Sequence, residues 1–348
     1  MNSRVERECP APNNRVRWAV LGTGRIAADV IPSIKKGEWS HVEAIASRTY
    51  DNAKRLAGLL GVPRAYGSYE EALLDQNIEA VYIPLPNHLH VPWAIRAIEA
   101  GKHVLCEKPI AMSVSDCRKL IAARNRVGVV VGEAFMVRTH PQWQRARDLV
   151  RSGEIGTLTA VTGVFGFYNR DPANIRNVLE FGGGAIWDIG CYPIQIARFL
   201  FGEEPESIAA LVDRDPVMQI DRLSSILLGF HSGQAAFTCS TQVAPCQRLH
   251  ILGTTGSIDV EVPITPPSNR NCRLLVGGDK ADSGMRVEEF PVCDQYAVQA
   301  ELFSRAIRGS CEVPTPLEDS IRNTAVLESV FEAARTGRTI HAPLIALE

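Results

Sequence analysis

The stretch from Val16 to Ala27 constrains this chain more than any other. An apolar run, Trp18 to Leu21, leads into Gly22-Thr23-Gly24-Arg25-Ile26-Ala27, and an amphipathic helical pattern follows. Strand, G-x-G-x-x-A turn and helix in that order form a dinucleotide fingerprint. Gly22 permits the tight turn, Gly24 has no Cβ to block a pyrophosphate, and Ala27 lets the helix pack closely on the strand. A helix N-terminus also presents free N–H groups and a positive dipole end to phosphate. The backbone of Gly22, Thr23, Gly24, Arg25 and Ile26 is therefore assigned to the cofactor.

From residue 15 to about 133, apolar strands alternate with helical patterns, which predicts a parallel sheet with helices on both faces. Strands are expected at Val42–Ser47, Ala65–Tyr66, Ala80–Ile83, His103–Cys106 and Val129–Glu133, with helices between them. Asp51 is the expected N-cap of the second helix, and the helix before the fifth strand is expected over Pro92–Ala100. This is a complete doubly wound fold.

After Glu133 the pattern changes. Consecutive strand-like runs from Leu158 to Phe290 predict a largely antiparallel sheet, with helices over Pro141–Arg151, Ala185–Phe201, Tyr296–Ile307 and Leu317–Arg335. The fold class is α/β: an N-terminal Rossmann sheet followed by an α+β unit. The expected divisions are a tail at 1–14, a dinucleotide-binding domain at 15–133, and a substrate-binding and oligomerisation domain at 134–348. A sheet covered on one face only predicts a homodimer or homotetramer through the other face.

Composition excludes several classes. With 37 basic and 39 acidic side chains the net charge is 37 − 39 = −2, and there is no basic block, which argues against nucleic acid as the main partner. No apolar run approaches a membrane span, and Met1–Asn14 lacks the apolar core of a signal peptide. The nine cysteines form no C-x-x-C pair, so reduced thiols in a cytoplasmic protein, without disulfides or a metal site, are expected.

Cofactor choice is read at the end of the second strand, where an acidic residue would bind the 2′-hydroxyl of NAD. Ser47-Arg48 stands there instead. A hydroxyl and a guanidinium suit a 2′-phosphate, so NADP(H) is favoured over NAD(H). The end of the fourth strand adds Pro84, Asn87 and His90 to the cofactor candidates; His90 is open between a site residue and a locally satisfied loop histidine. Glu107-Lys108-Pro109 follows the fifth strand, at the edge where such sheets bind ligands. Finally, Gly182-Gly-Gly-Ala-Ile-Trp-Asp188-Ile-Gly-Cys-Tyr192-Pro193 puts Asp188 and Tyr192 four apart on one helix face, with Gly190 and Pro193 expected to bend the helix.

Taken together, these motifs resemble the glucose–fructose oxidoreductase and inositol dehydrogenase (Gfo/Idh/MocA) family. The resemblance runs from residue 15 to the C-terminus. It implies that Lys108 lies near the nicotinamide and the reacting hydroxyl. Many members carry histidine where this chain has Tyr192, so the likeness is to the tyrosine-type branch, which includes NADP-dependent xylose dehydrogenases and dimeric dihydrodiol dehydrogenases. The expected activity is hydride transfer between NADP(H) and a sugar or polyol. Tyr192 is the expected acid/base, its pKa lowered by Lys108, with Asp188 orienting Lys108 or a substrate hydroxyl. Tyr168 and Arg176, in the polar loop 168–177, are expected to line the substrate side with Lys108, Asp188 and Tyr192. The alternatives are a trans-dihydrodiol dehydrogenase and, less favoured, a redox-assisted glycosidase or a non-catalytic NADP sensor.

Overall fold

The structure, a computed structural model, describes residues 14–278, 284–341 and 345. The expected tail at 1–14 lies, apart from Asn14, outside the described residues.

The first sheet contains β1 (Val16–Leu21), β2 (Ser40–Ala46), β3 (Arg64–Tyr66), β4 (Ala80–Ile83), β5 (His103–Glu107) and β6 (Val131–Ala134). Their order is β3-β2-β1-β4-β5-β6, and every pairing is parallel. Helices α1 (Arg25–Lys35), α2 (Tyr50–Leu60), α3 (Tyr69–Leu74), α4 (Asn87–Glu99) and α5 (Val114–Val127) make the crossovers. Strands covered on both faces are apolar throughout, which explains the unbroken burial of Ala80–Ile83. Since all strands point one way, the turns after β1, β4 and β5 open on a single edge. Gly22–Gly24, Asn87 and Lys108 therefore share that edge.

Two helix starts differ from expectation. Thr49, not Asp51, is the cap residue of α2 and makes no side-chain cap bond; Asp51 sits in the first turn, where its charge still favours the helix dipole. α4 begins at Asn87, with Pro92 inside it. A proline there removes one intrahelical hydrogen bond, and the burial of His90, Ala94, Ala97 and Ile98 outweighs that loss.

The second sheet holds β7 (Leu158–Tyr168), β8 (Ser207–Arg214), β9 (Asp221–Gly229), β10 (Gln234–Ser240), β11 (Gln242–Gly253), β12 (Ser257–Val260), β13 (Cys272–Gly277), β14 (Met285–Phe290) and β15 (Ile340–His341). The order is β14-β13-β12-β11-β7-β10-β9-β8-β15, and only β7 with β10 is parallel. On one face, α6 (Pro141–Arg151) and α7 (Cys191–Phe201) bury Trp143, Leu149, Ile194 and Ala197 against Val161, Ile226, Phe237 and Leu249. The other face carries Leu211 and Leu227, 78% and 59% exposed.

The last two helices, α8 (Gln295–Ile307) and α9 (Leu317–Thr336), do not belong to the second sheet alone. Phe303 of α8 enters the core around β1, and Trp18 donates its indole N–H to Ser304 at 3.1 Å. Leu317 and Ile321 of α9 pack in the core between α4 and α5, while Val326, Leu327 and Val330 reach the second core. The chain thus returns to its first sheet after completing its second.

Candidate active site

The turn after β1 has the form a pyrophosphate requires. Gly22 holds φ +135°, and a Cβ on Gly24 would meet nothing within 4 Å, so the approach to the α1 N-terminus is open. No side chain caps that terminus, which leaves its N–H groups for a ligand. Thr23, Gly24, Arg25 and Ile26 are half-buried or exposed, and Ala27 is fully buried against the strand. Pro84 lies beside Gly22 and is buried. At the end of β2, Arg48 is exposed and makes no ion pair among the described residues. Ser47 is buried, its hydroxyl accepting from the Thr49 N–H at 3.4 Å, so the exposed group on this turn is Arg48 rather than the Ser47–Arg48 pair.

Lys108 and Asp188 meet across the two sheets. Lys108 follows β5; its Nζ lies 3.2 Å from Asp188 Oδ1 and also donates to the Asp188 carbonyl. The two side chains are only 10% and 13% exposed. Asp188 Oδ2 accepts from Arg176 Nε at 2.6 Å. Burial alone would raise the Asp188 pKa, but the Lys108 and Arg176 charges outweigh it and hold the carboxyl below its ordinary value. Burial likewise opposes the Lys108 ammonium, yet Asp188, Cys191 and Glu107 together hold its pKa above that of an ordinary lysine. Glu107 is locked by the Tyr82 hydroxyl, which donates to Oε1 at 2.6 Å.

Tyr192 departs from expectation in one respect. Lys108 Nζ sits over the face of its ring, 4.7 Å from the centroid, rather than at its oxygen. The hydroxyl points to Met136 Sδ at 3.5 Å. Burial, followed by nearby acidic groups, pushes the phenol well above 10, so the predicted lowering by Lys108 is absent. The phenol is a neutral proton donor with only a weak thioether acceptor.

Local backbone explains how Asp188 is aimed. Residues Ile186–Gly190 form a π-helical turn ahead of α7, in place of the simple bend expected from Gly190 and Pro193. The wide turn accommodates the missing Pro193 N–H and brings Gly190 close to Cys239. Asp221, buried at the start of β9, caps this helix by accepting from the Ile186 N–H at 2.6 Å. Gly184 has φ +116°, and a Cβ there would strike the Asp221 carboxylate.

Two predicted residues do not reach the cleft. Tyr168 ends β7 on the face opposite Val161, Phe165 and Phe167 by strand alternation and is 63% exposed; Phe165 is the side chain that meets Tyr192, at 6.2 Å between centroids. His90 is fully buried, with its ring nitrogens 2.7 Å from Pro109 O and 2.6 Å from Leu85 O. Burial pulls its pKa to about 4 against the two carbonyls, which favour the protonated ring, and the ring braces the β4 and β5 turns. Asn87 spends its amide on Gly182 O at 2.9 Å. Glu133, which the sequence reading takes as structural, holds the turn after Lys108: Oε1 accepts from the Ile110 N–H at 2.9 Å.

Comparisons with known proteins agree with the two-part fold. Residues 16–135 match the model of the Gfo/Idh/MocA oxidoreductase family, NAD-binding Rossmann fold, and residues 143–259 match the Gfo/Idh/MocA C-terminal domain. The chain belongs to the Gfo/Idh/MocA family. It is 47% identical to the uncharacterized oxidoreductase ORF334 of Rhizobium meliloti, over 92% of this chain and 98% of that one. It is 34% identical to D-xylose 1-dehydrogenase (NADP(+)) 2 of Haloferax volcanii, over 93% and 98%. Among solved structures, KijD10, a 3-ketoreductase from Actinomadura kijaniata in complex with NADP and TDP-benzene, superposes with a TM-score of 0.85 at 29% identity, covering 92% of this chain and 98% of that one. The chain is an oxidoreductase. Among its described residues no helix could cross a membrane, no side-chain cluster could hold a metal, and the eight cysteines are free.

Burial raises the Glu133 pKa from 4.5 to about 7, and this predicts a pH-dependent stability. Between those two values the folded state binds more protons than the unfolded one, so this residue's contribution falls as pH rises and is level above about 7. Glu133→Gln removes that dependence. In urea denaturation, the variant should gain on wild type between pH 5 and pH 8, by on the order of 3 kcal/mol. A stability difference constant over that range would contradict the assignment.

Proposed function

We propose that this chain transfers hydride between NADP(H) and a carbinol or carbonyl carbon of a sugar or polyol. The observation that carries the reading is the Lys108–Asp188 pair, held on the same sheet edge as the open, uncapped α1 N-terminus. The nicotinamide, when bound, supplies or accepts the hydride; the chain's own groups manage the accompanying proton. Lys108 keeps its ammonium at neutral pH and is aimed by Asp188 toward the substrate oxygen. Tyr192 is the acid/base: its hydroxyl is bound only to a thioether and is free for a substrate oxygen. Because both groups hold their protons near neutrality, reduction of a carbonyl is the readier direction, and oxidation is favoured by alkaline pH. The sugar reading is supported by relatives named as a xylose dehydrogenase and a 3-ketoreductase. The half-apolar open face of the second sheet supports a homodimer or homotetramer; a monomeric mass in sedimentation equilibrium would refute that part.

Arg48, exposed and without an ion pair among the described residues, supports NADP(H) over NAD(H). Isothermal titration should find NADP the tighter ligand by about 1.5 kcal/mol or more, the worth of a charged hydrogen bond. Arg48→Ala should remove most of that gap. Equal affinities in the wild type would exclude the assignment.

Initial rates with NADPH and keto sugars, and with NADP and xylose, glucose or an inositol, test the activity itself, with trans-dihydrodiols as the contrast. Tyr192→Phe and Lys108→Met should each lower kcat by about 10²–10⁴-fold with NADP affinity nearly unchanged. More than a tenth of wild-type kcat in Tyr192→Phe would remove Tyr192 from the acid/base role. A clear preference for dihydrodiols would overturn the sugar assignment.

A further inference from the structure

The Arg176 side chain is 43% exposed, but the backbone that carries it is fixed on several sides. It lies in a short 3-10 turn, Ile175–Asn177, whose start is capped by Asn174 accepting from the Arg176 N–H at 3.1 Å. Its carbonyl accepts from the Gly184 N–H at 2.9 Å and lies where a Cβ on Gly183 would be, so the glycine run is shaped around it. The same segment is strapped to the first sheet's helix α4. Asn87 donates to Gly182 O at 2.9 Å, and His88 stacks on Phe181 with centroids 4.4 Å apart. The Asp171 carboxylate, the obvious local partner, is turned away and caps the Ala173 N–H at 3.0 Å. Arg176 instead meets Asp188 at 2.6 Å, on the oxygen opposite the one facing Lys108.

We propose that Arg176 is a positioning residue: by engaging one oxygen of Asp188, it divides that carboxylate between two cations and keeps it from being committed to Lys108. This rests on the reading of Lys108 as the ammonium that assists Tyr192 at the substrate oxygen. The charged and titratable groups facing Lys108 are Asp188 from the π turn, Cys191 and Tyr192 from α7, Glu107 from β5, Arg176 from the loop, and His90 from α4. Asp188, Cys191 and Glu107 raise its proton affinity, and Arg176 is the member that lowers it. Without Arg176 the full carboxylate charge falls on Lys108, which then gives up its proton less readily.

The test separates this role from a loop-stiffening one, because the two have opposite signs. Only the free amine of a lysine reacts with acetic anhydride. Acylation of Lys108 at pH 8, followed by peptide mass spectrometry, needs no substrate or turnover. Arg176→Gln should slow it by about three- to tenfold, one pKa unit being tenfold, and Arg176→Lys should restore it. A loop merely loosened by the substitution would expose Lys108 and speed the reaction. Unchanged or faster acylation in Arg176→Gln overturns the proposal. Turnover gives the second arm: Arg176→Gln should lower kcat in the wild-type background and change it less than twofold in Asp188→Asn, as expected for residues acting as a unit. Additive losses overturn the proposal while leaving the activity standing. Absence of wild-type turnover rejects the activity, and acylation then still decides the role of Arg176.

Discussion

A carboxylate shielded from water and shared by two cations is the interaction on which this structure depends. Asp188 is 13% exposed, and its partners arrive from distant places: Lys108 from the end of a parallel strand, Arg176 from a loop of the other sheet. Leaving a buried charge without its partner costs about 3–5 kcal/mol, so neither sheet can be placed without regard to the other. The glycine run Gly182–Gly184, the cap from Asp221 and the Asn87–Gly182 bond all serve to bring these three charges together. Glu133 does the same from the opposite side by holding Ile110, two residues past Lys108.

The architecture supports this junction at more than one point. α8 ties Trp18 and Ser40 to Ser304, and α9 joins α5 through Arg124–Glu318 at 2.6 Å. The second sheet is therefore moored to the first on the side of β1 and on the side of α5, with the cleft at the strand ends. The dinucleotide turn and the charged junction lie on the same edge because all six strands of the first sheet run in one direction.

Much of this was legible in the amino-acid order, for local reasons. Gly22, Gly24 and Ala27 announce themselves because the turn they build tolerates few other residues, and Lys108 follows a strand whose burial pattern is unmistakable. Asp188 and Tyr192 were recognised together, and both reach the junction. The departures have two causes, a local alternation that outweighs loop polarity at Tyr168 and dependence on distant partners at the other positions. Tyr168 was placed in the cleft because its loop is polar; the alternation Val161, Phe165, Phe167 already assigned it to the other face. His90 looked available until Pro109 O and Leu85 O, from two different turns, closed on its ring. The position of the Tyr192 hydroxyl depends on Met136, and the cap from Asp221 lies 35 residues along the chain from Ile186. Gly190 and Pro193 mark a distortion without showing that it is a π turn, and the return of α8 and α9 to the first core leaves no local pattern.

The central proposal is that hydride passes at the sheet edge shared by the α1 N-terminus and the Lys108–Asp188 pair. Its most direct measurement is isotope transfer from NADPH carrying deuterium at both C4 positions to a keto sugar, with the product read by mass spectrometry and NMR. The account predicts one deuterium on the new carbinol carbon, formed by the wild type and lost with Lys108→Met although NADPH remains bound. Product without deuterium, or deuterium transfer undiminished in Lys108→Met, would contradict it.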